Sequence, residues 1–103
     1  MKPLDLNFIC QTLGLPMPSE NQPVSRIVTD SRDIQEGDVF FALAGERFDA
    51  HDFVEDVLVA GATAVVVSRE DCAALKGALK VDDTLAALQK LAKAWRENVN
   101  PFV

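Results

Sequence analysis

Apolar positions along the chain recur at two different spacings. Leu6, Ile9, Cys10 and Leu13 follow one another at three- and four-residue steps, which puts them on one helical face and predicts a helix from about Leu4 to Leu13. Gly14 and Pro16 then stop it, one by accepting a left-handed backbone and the other by lacking an N–H. The polar stretch PMPSENQP reads as an exposed loop. Val24–Thr29 (VSRIVT) is rich in β-branched residues and predicts a strand ended by Asp30, Ser31 and Arg32. After a QEGD turn, Val39–Leu43 (VFFAL) is a short continuous apolar run, as expected for a strand buried on both faces, and Gly45 closes it.

The second half repeats the alternation. Ala50–Ala60 carries a helical stripe at Phe53, Val54, Val57 and Leu58, with Gly61 in the C-cap position. Thr63–Val67 (TAVVV) predicts another buried strand, Asp71–Lys76 a short Ala-rich helix, and Leu79–Val81 a brief strand. Asp82 or Asp83 then caps a longer helix with Leu85, Leu88, Leu91, Ala92 and Trp95 on one face. Strands alternating with helices define an α/β fold, a small open sheet, mostly parallel or mixed, with flanking helices.

Composition narrows this picture. The 103 residues suit a single domain, and 49% apolar with 25% charged residues are ordinary globular values. The formal charge of −6, with Lys and Arg forming no dense stripe, argues against a nucleic-acid partner. A small anionic ligand stays open, because a few N–H groups and one or two Arg outweigh bulk charge locally. Cys10 and Cys72 belong to no C-x-x-C or zinc-type cluster and read as packed, reduced thiols. The polar start MKPLDLNF has no apolar signal region, and no run approaches the roughly 18 apolar residues of a transmembrane span. A cytoplasmic location is the expectation.

Three groups of residues invite chemistry. Thr29-Asp30-Ser31-Arg32 leaves a strand with a hydroxyl and a guanidinium side by side, where open α/β sheets bind ligands. The same residues also fit an ordinary turn, with Asp30 and Ser31 bonding their own backbone and Arg32 in a surface ion pair. Gly45-Glu46-Arg47-Phe48-Asp49 follows the next strand. Its glycine permits close backbone approach and Phe48 offers a stacking face, while the alternative has Phe48 packing as a staple and Asp49 capping the next helix. His51, Asp52 and Glu55 could suggest a metal, but three or four convergent ligands are not visible, and acids in a first helical turn complement its dipole. His51 reads better as a hydrogen-bonding residue at the helix entrance. No Ser-His-Asp or Cys-His grouping is evident from spacing, and neither G-x-x-x-x-G-K-[ST] nor G-x-G-x-x-G occurs.

The run TDSRDIQEGDVFFALAGERFDAHDFVEDVLVAGATAVVV resembles the N-terminal domain of the Mur ligases, cytoplasmic enzymes that build the peptidoglycan stem peptide. The order D-S-R, then E-G-D-x-F-x-A-L-x-G, then G-A-x-A-V-x-V carries the resemblance, strongest over Val24–Val67. The variant G-E-R-F-D-A-H-D-F is similar to the branch of the family that joins D-alanyl-D-alanine to UDP-N-acetylmuramoyl-tripeptide. The alternatives are the sister ligase that adds the third stem residue and a free-standing nucleotide- or protein-binding module.

The resemblance implies a residue set. In the sister ligase the serine of D-S-R and the residues after the second loop's glycine hold the uridine end of the substrate. The matching positions are Ser31 and Glu46, Arg47 and Phe48, with Thr29 two places before the serine and Arg32 and Gly45 completing the two loops. Side chains of the second loop differ between the two ligases, so backbone contacts carry over better there. No residue of this chain is implied to be catalytic or to bind metal. In the family a strand and a G-[IV]-T-G-[TS]-[NS]-G-K-T loop for ATP come next, and this chain stops at Phe102-Val103 where that strand would begin. The expectation is therefore one substrate-binding domain, 1–103, of a three-domain monomeric enzyme whose ATP, Mg²⁺ and D-alanyl-D-alanine sites lie in the other two.

Overall fold

Three runs of mainly β-branched and aromatic residues and a fourth, Ala-Leu-Lys, become strands: β1 (Arg26–Val28), β2 (Asp38–Phe41), β3 (Ala64–Val67) and β4 (Ala78–Lys80). They form one sheet in the order β1-β2-β3-β4, and every neighbouring pair is parallel. The computed structural model describes residues 4–44 and 49–99. Gly45, Glu46, Arg47 and Phe48, and the apolar ending Pro101-Phe102-Val103, lie outside the described residues. Because all four strands point the same way, the loops after β1, β2 and β3 meet along one edge of the sheet, where such folds place ligands.

The alternation of side chains along each strand sends neighbours to opposite layers. Val39, Phe41, Ala64 and Val66 pack with α1 (Leu6–Leu13) and with Ala87 and Leu91 of α4 (Thr84–Val99). Phe40, Val65 and Val67 pack on the other face with Ala50, Val54, Val57 and Cys72. That second layer comprises a 3₁₀ turn at Ala50–Phe53, α2 (Val54–Val59) and α3 (Glu70–Ala73). Every residue of β2 and β3 is buried, which is why both sequences are apolar apart from Asp38 at the start of β2.

The helix ends follow local chemistry. Asp5 caps α1 by accepting from the Phe8 N–H at 2.8 Å, so the helix begins after it and not at Leu4. Gly14, at φ 72°, ends α1 by returning its N–H to Cys10 and Gln11. Asp83, not Asp82, caps α4, accepting from Leu85 N–H at 2.9 Å and Ala86 N–H at 3.1 Å. Phe8 and Trp95 meet edge to face at 5.6 Å and tie α1 to α4.

Three expected core positions, Leu85, Ala92 and Phe53, are exposed. Leu85 is 51% exposed, because the buried stripe of α4 runs through Thr84, Ala87 and Leu91, about 100° away around the helix. Phe53 is 37% exposed. The segment opens as a 3₁₀ turn, which rotates about 120° per residue, so the stripe drawn through Phe53 slips out of phase while Val54 and Val57 stay inside. A further difference concerns Asp38. It reads as the end of a turn but is the first residue of β2 and fully buried.

Both cysteines are free and buried, and burial pushes each thiol's pKa up, as inert packed thiols require. Among the described residues no helix is long and apolar enough to cross a membrane.

Candidate functional site

Charge decides the geometry at the start of β2. Asp38 would be costly to bury alone. Its register partner on β1 is Arg26, whose Nε and Nη2 donate to the two carboxylate oxygens at 3.0 and 2.6 Å. Arg26 Nη2 also donates to the Asp33 carbonyl at 2.9 Å, and the Gln35 N–H donates to Asp38 at 2.8 Å. The Arg26 hydrogen bonds hold the Asp38 carboxyl below its ordinary pKa, against the opposing effect of burial. One half-buried ion pair thus staples both ends of the loop that carries Thr29, Asp30, Ser31 and Arg32.

Those four residues line one side of a cleft of about 620 Å³, with Phe53 and Asp56 opposite. Within the loop, Asp30 accepts from the Arg32 backbone N–H at 2.9 Å and from Arg32 Nε and Nη2 at 3.1 Å each. The turn and ion-pair alternative therefore holds for Asp30 and Arg32. The guanidinium bonds lower the Asp30 pKa, and the pair largely cancels as a charge. Among the described residues the Thr29 and Ser31 hydroxyls and the Asp56 carboxylate have no side-chain partner. A roomier groove of about 690 Å³ lies between the edge strand β1 and α4, but it is mostly apolar and its one charged residue, Arg26, is already held by Asp38.

The second candidate loop is described only at its stem. Ala44 and Asp49 form an antiparallel bridge, and Ala50 N–H donates to the Leu43 carbonyl at 3.0 Å. The expected contacts of Gly45, Glu46, Arg47 and Phe48 fall outside the described residues. Asp49 does cap the following turn, accepting from the His51 N–H at 2.9 Å.

His51 is buried, with both ring nitrogens engaged. The Ser68 backbone N–H can only donate, so Nε2 accepts from it at 2.9 Å. Nδ1 then carries the proton and donates to Asp49 Oδ1 at 2.6 Å. Burial pushes the Asp49 carboxyl up, but the bonds from His51, together with Arg69 at 3.3 Å, outweigh it and hold its pKa low. Ser68 Oγ lies 3.3 Å from Nε2, so the fold does assemble a Ser-His-Asp grouping that spacing did not reveal. The only lone pair of Nε2 is taken by the Ser68 backbone, which leaves no base to activate the hydroxyl. This cluster clasps the end of β3 to the stem of the second loop.

Sequence reasoning missed Phe53 and Asp56 as cleft residues. Their three-residue spacing was visible, but only the fold shows that this face of the segment looks toward the loop after β1.

Comparison with known proteins agrees with the fold and the motif order. The model of the "Mur ligase family, catalytic domain" matches residues 23–96. A UDP-N-acetylmuramoyl-tripeptide–D-alanyl-D-alanine ligase of Haemophilus influenzae is 44% identical over 82 residues, covering 80% of this chain and 18% of the relative. The enzyme of the same name from Synechocystis sp. is 43% identical over 81 residues, covering 77% of this chain and 18% of its own. The crystal structure of MurF from Acinetobacter baumannii superposes with a TM-score of 0.76 at 35% identity, covering 95% of this chain and 22% of that one. The chain thus spans about a fifth of the length of the relatives it matches.

Proposed function

Because this chain belongs to the Mur ligase family, we propose that it is the substrate-holding N-terminal domain of a ligase that joins D-alanyl-D-alanine to UDP-N-acetylmuramoyl-tripeptide. The observation that carries the reading is the cleft after β1, where Ser31 of the family's D-S-R segment and Thr29 just before it offer hydroxyls that have no side-chain partner among the described residues, at the edge of the sheet where such folds place ligands. The cleft would grip the UDP end, and the Gly45–Phe48 loop would add backbone contacts.

The chemistry of the whole enzyme is amide formation. ATP supplies a phosphoryl group to the tripeptide carboxylate, and the amine of D-alanyl-D-alanine displaces it. The described residues do not fit ATP or Mg²⁺, since no three His, Cys, Asp or Glu side chains among them converge and the sequence has no phosphate loop. Those ligands and the dipeptide are assigned to other domains of a cytoplasmic, monomeric enzyme. This domain contributes positioning: fixing the UDP end turns a distant carboxylate into a local reactant.

The test is Ser31→Ala in the full-length ligase. Uridine contacts are the same in ground and transition states, so KM for the UDP substrate should rise about three- to tenfold, the value of one neutral hydrogen bond, with kcat nearly unchanged. A lower kcat at constant KM would place Ser31 at the chemistry instead and refute the assignment.

A further inference from the structure

Ser31 sits in a loop with little apolar anchorage of its own. Ile34 is the only hydrophobic side chain among residues 29–37, and it packs against the second core layer beyond the turn that carries the serine. That turn is closed by the Asp33 N–H, which donates to the Asp30 carbonyl at 3.2 Å and leaves Ser31 and Arg32 at the two central positions. Its far end is tied to the sheet, because the Asp33 carbonyl accepts from Arg26 Nη2 at 2.9 Å. Arg26 in turn cannot swing: its Nε and Nη2 bind both oxygens of Asp38, whose side chain is fully buried at the first position of β2. One guanidinium thus links the start of β2 to the turn that presents Ser31. Arg26 itself does not line the cleft, so any influence it has on a ligand there passes through the loop. A lysine would keep a charge beside Asp38, but an ammonium lacks the planar fork that holds two carboxylate oxygens and a carbonyl of another segment together.

We propose that Arg26 is a positioning residue for substrate binding: clamped by Asp38, it fixes the Asp33 carbonyl and so sets where the Ser31 hydroxyl meets the ligand. This rests on the reading that the cleft holds the UDP end. It gives the ion pair a share in affinity that is separate from its share in stability.

Steady-state kinetics of the full-length ligase tests this with Arg26→Lys, alone and combined with Ser31→Ala. Arg26→Lys should raise KM for the UDP substrate about two- to fivefold with kcat nearly unchanged, a loss within the range of one hydrogen bond. Because Arg26 acts through Ser31, the same change should add almost nothing once the hydroxyl is gone, so the double variant should match Ser31→Ala. A residue that only supports the fold would have the same effect in both backgrounds. A second comparison separates affinity from stability. Arg26→Met with Asp38→Asn removes the stranded charge but leaves the Asp33 carbonyl unheld, so its KM should stay about twofold or more above the parental value. An equal KM rise from Arg26→Lys with and without the Ser31 hydroxyl, or a parental KM in either Arg26 variant, would overturn the proposal while leaving the UDP site in place. If Ser31→Ala itself leaves KM at the parental value, the underlying reading fails, and the proposal with it.

Discussion

Arg26→Met should lower the melting temperature by more than ~10 °C, among the two largest effects expected in this chain. Asp38 is fully buried at the first position of β2, and Arg26 is its only counter-charge among the described residues. Truncating Arg26 strands the buried Asp38 carboxylate, and because the guanidinium itself is 38% exposed the cost is about 2–3 kcal/mol, below the roughly 3–5 kcal/mol of a fully buried pair yet still a large share of a small domain's stability. The double variant Arg26→Met with Asp38→Asn should recover part of the loss. It removes the stranded charge yet keeps an acceptor for the Gln35 N–H. Thermal unfolding followed by circular dichroism reads both, and a shift of only a degree or two for the single variant would mean the pair does not anchor the loop.

The same pair fixes a pH response. Because Arg26 holds the folded-state pKa of Asp38 below its unfolded value, the stabilisation is complete above the ordinary carboxylate pKa of about 4. It is lost as pH falls through the lower, folded value. The parent chain should thus lose stability on acidification below about pH 4, and the slope should flatten in Arg26→Met.

His51→Ala should cost about 2–4 kcal/mol, through a buried cavity and an orphaned Ser68 N–H. It should leave KM for the UDP substrate within about twofold in the full-length ligase, since the imidazole faces Ser68 and Asp49 and does not line the cleft. An unchanged melting temperature combined with a sharp rise in KM would move His51 from the scaffold into the binding site.

Much of this architecture could be read from the chain because the deciding signals are local. Val39–Phe41 and Ala64–Val67 are apolar without interruption, and they lie in strands buried on both faces. Gly14 and Asp83 act on residues within one helical turn of themselves, so the end of α1 and the start of α4 are legible, whereas the apolar pattern starts α1 at Leu4 and misses the Asp5 cap. What escaped notice depends on register. Asp38 follows a glycine and reads as a turn, and its burial makes sense only once a parallel pairing sets it beside Arg26, twelve residues earlier. His51 meets Ser68 seventeen residues away through a backbone N–H, which no side-chain pattern reports.

The site divides along the same line. Thr29, Ser31 and Arg32 were legible as the polar end of a strand, and the fold brings them to one cleft. Arg32 was expected as a ligand residue, yet its neighbour Asp30 already satisfies two of its nitrogens. Phe53 and Asp56 depend on how a 3₁₀ turn rotates the start of α2, a phase shift that a single helical period drawn through Ala50–Ala60 hides.

The claim that this domain holds the UDP end of its substrate is tested most directly by titrating the chain with UDP while recording backbone amide resonances. Binding by one isolated half-site should be weak, with Kd around 1 mM, equivalent to about 4 kcal/mol. The predicted result is a saturable shift of Thr29 and Ser31, extending to Gly45–Phe48, with the amides of the β1–α4 groove unmoved. Saturable shifts confined to that groove, or no shift anywhere at tens of millimolar UDP, would contradict it.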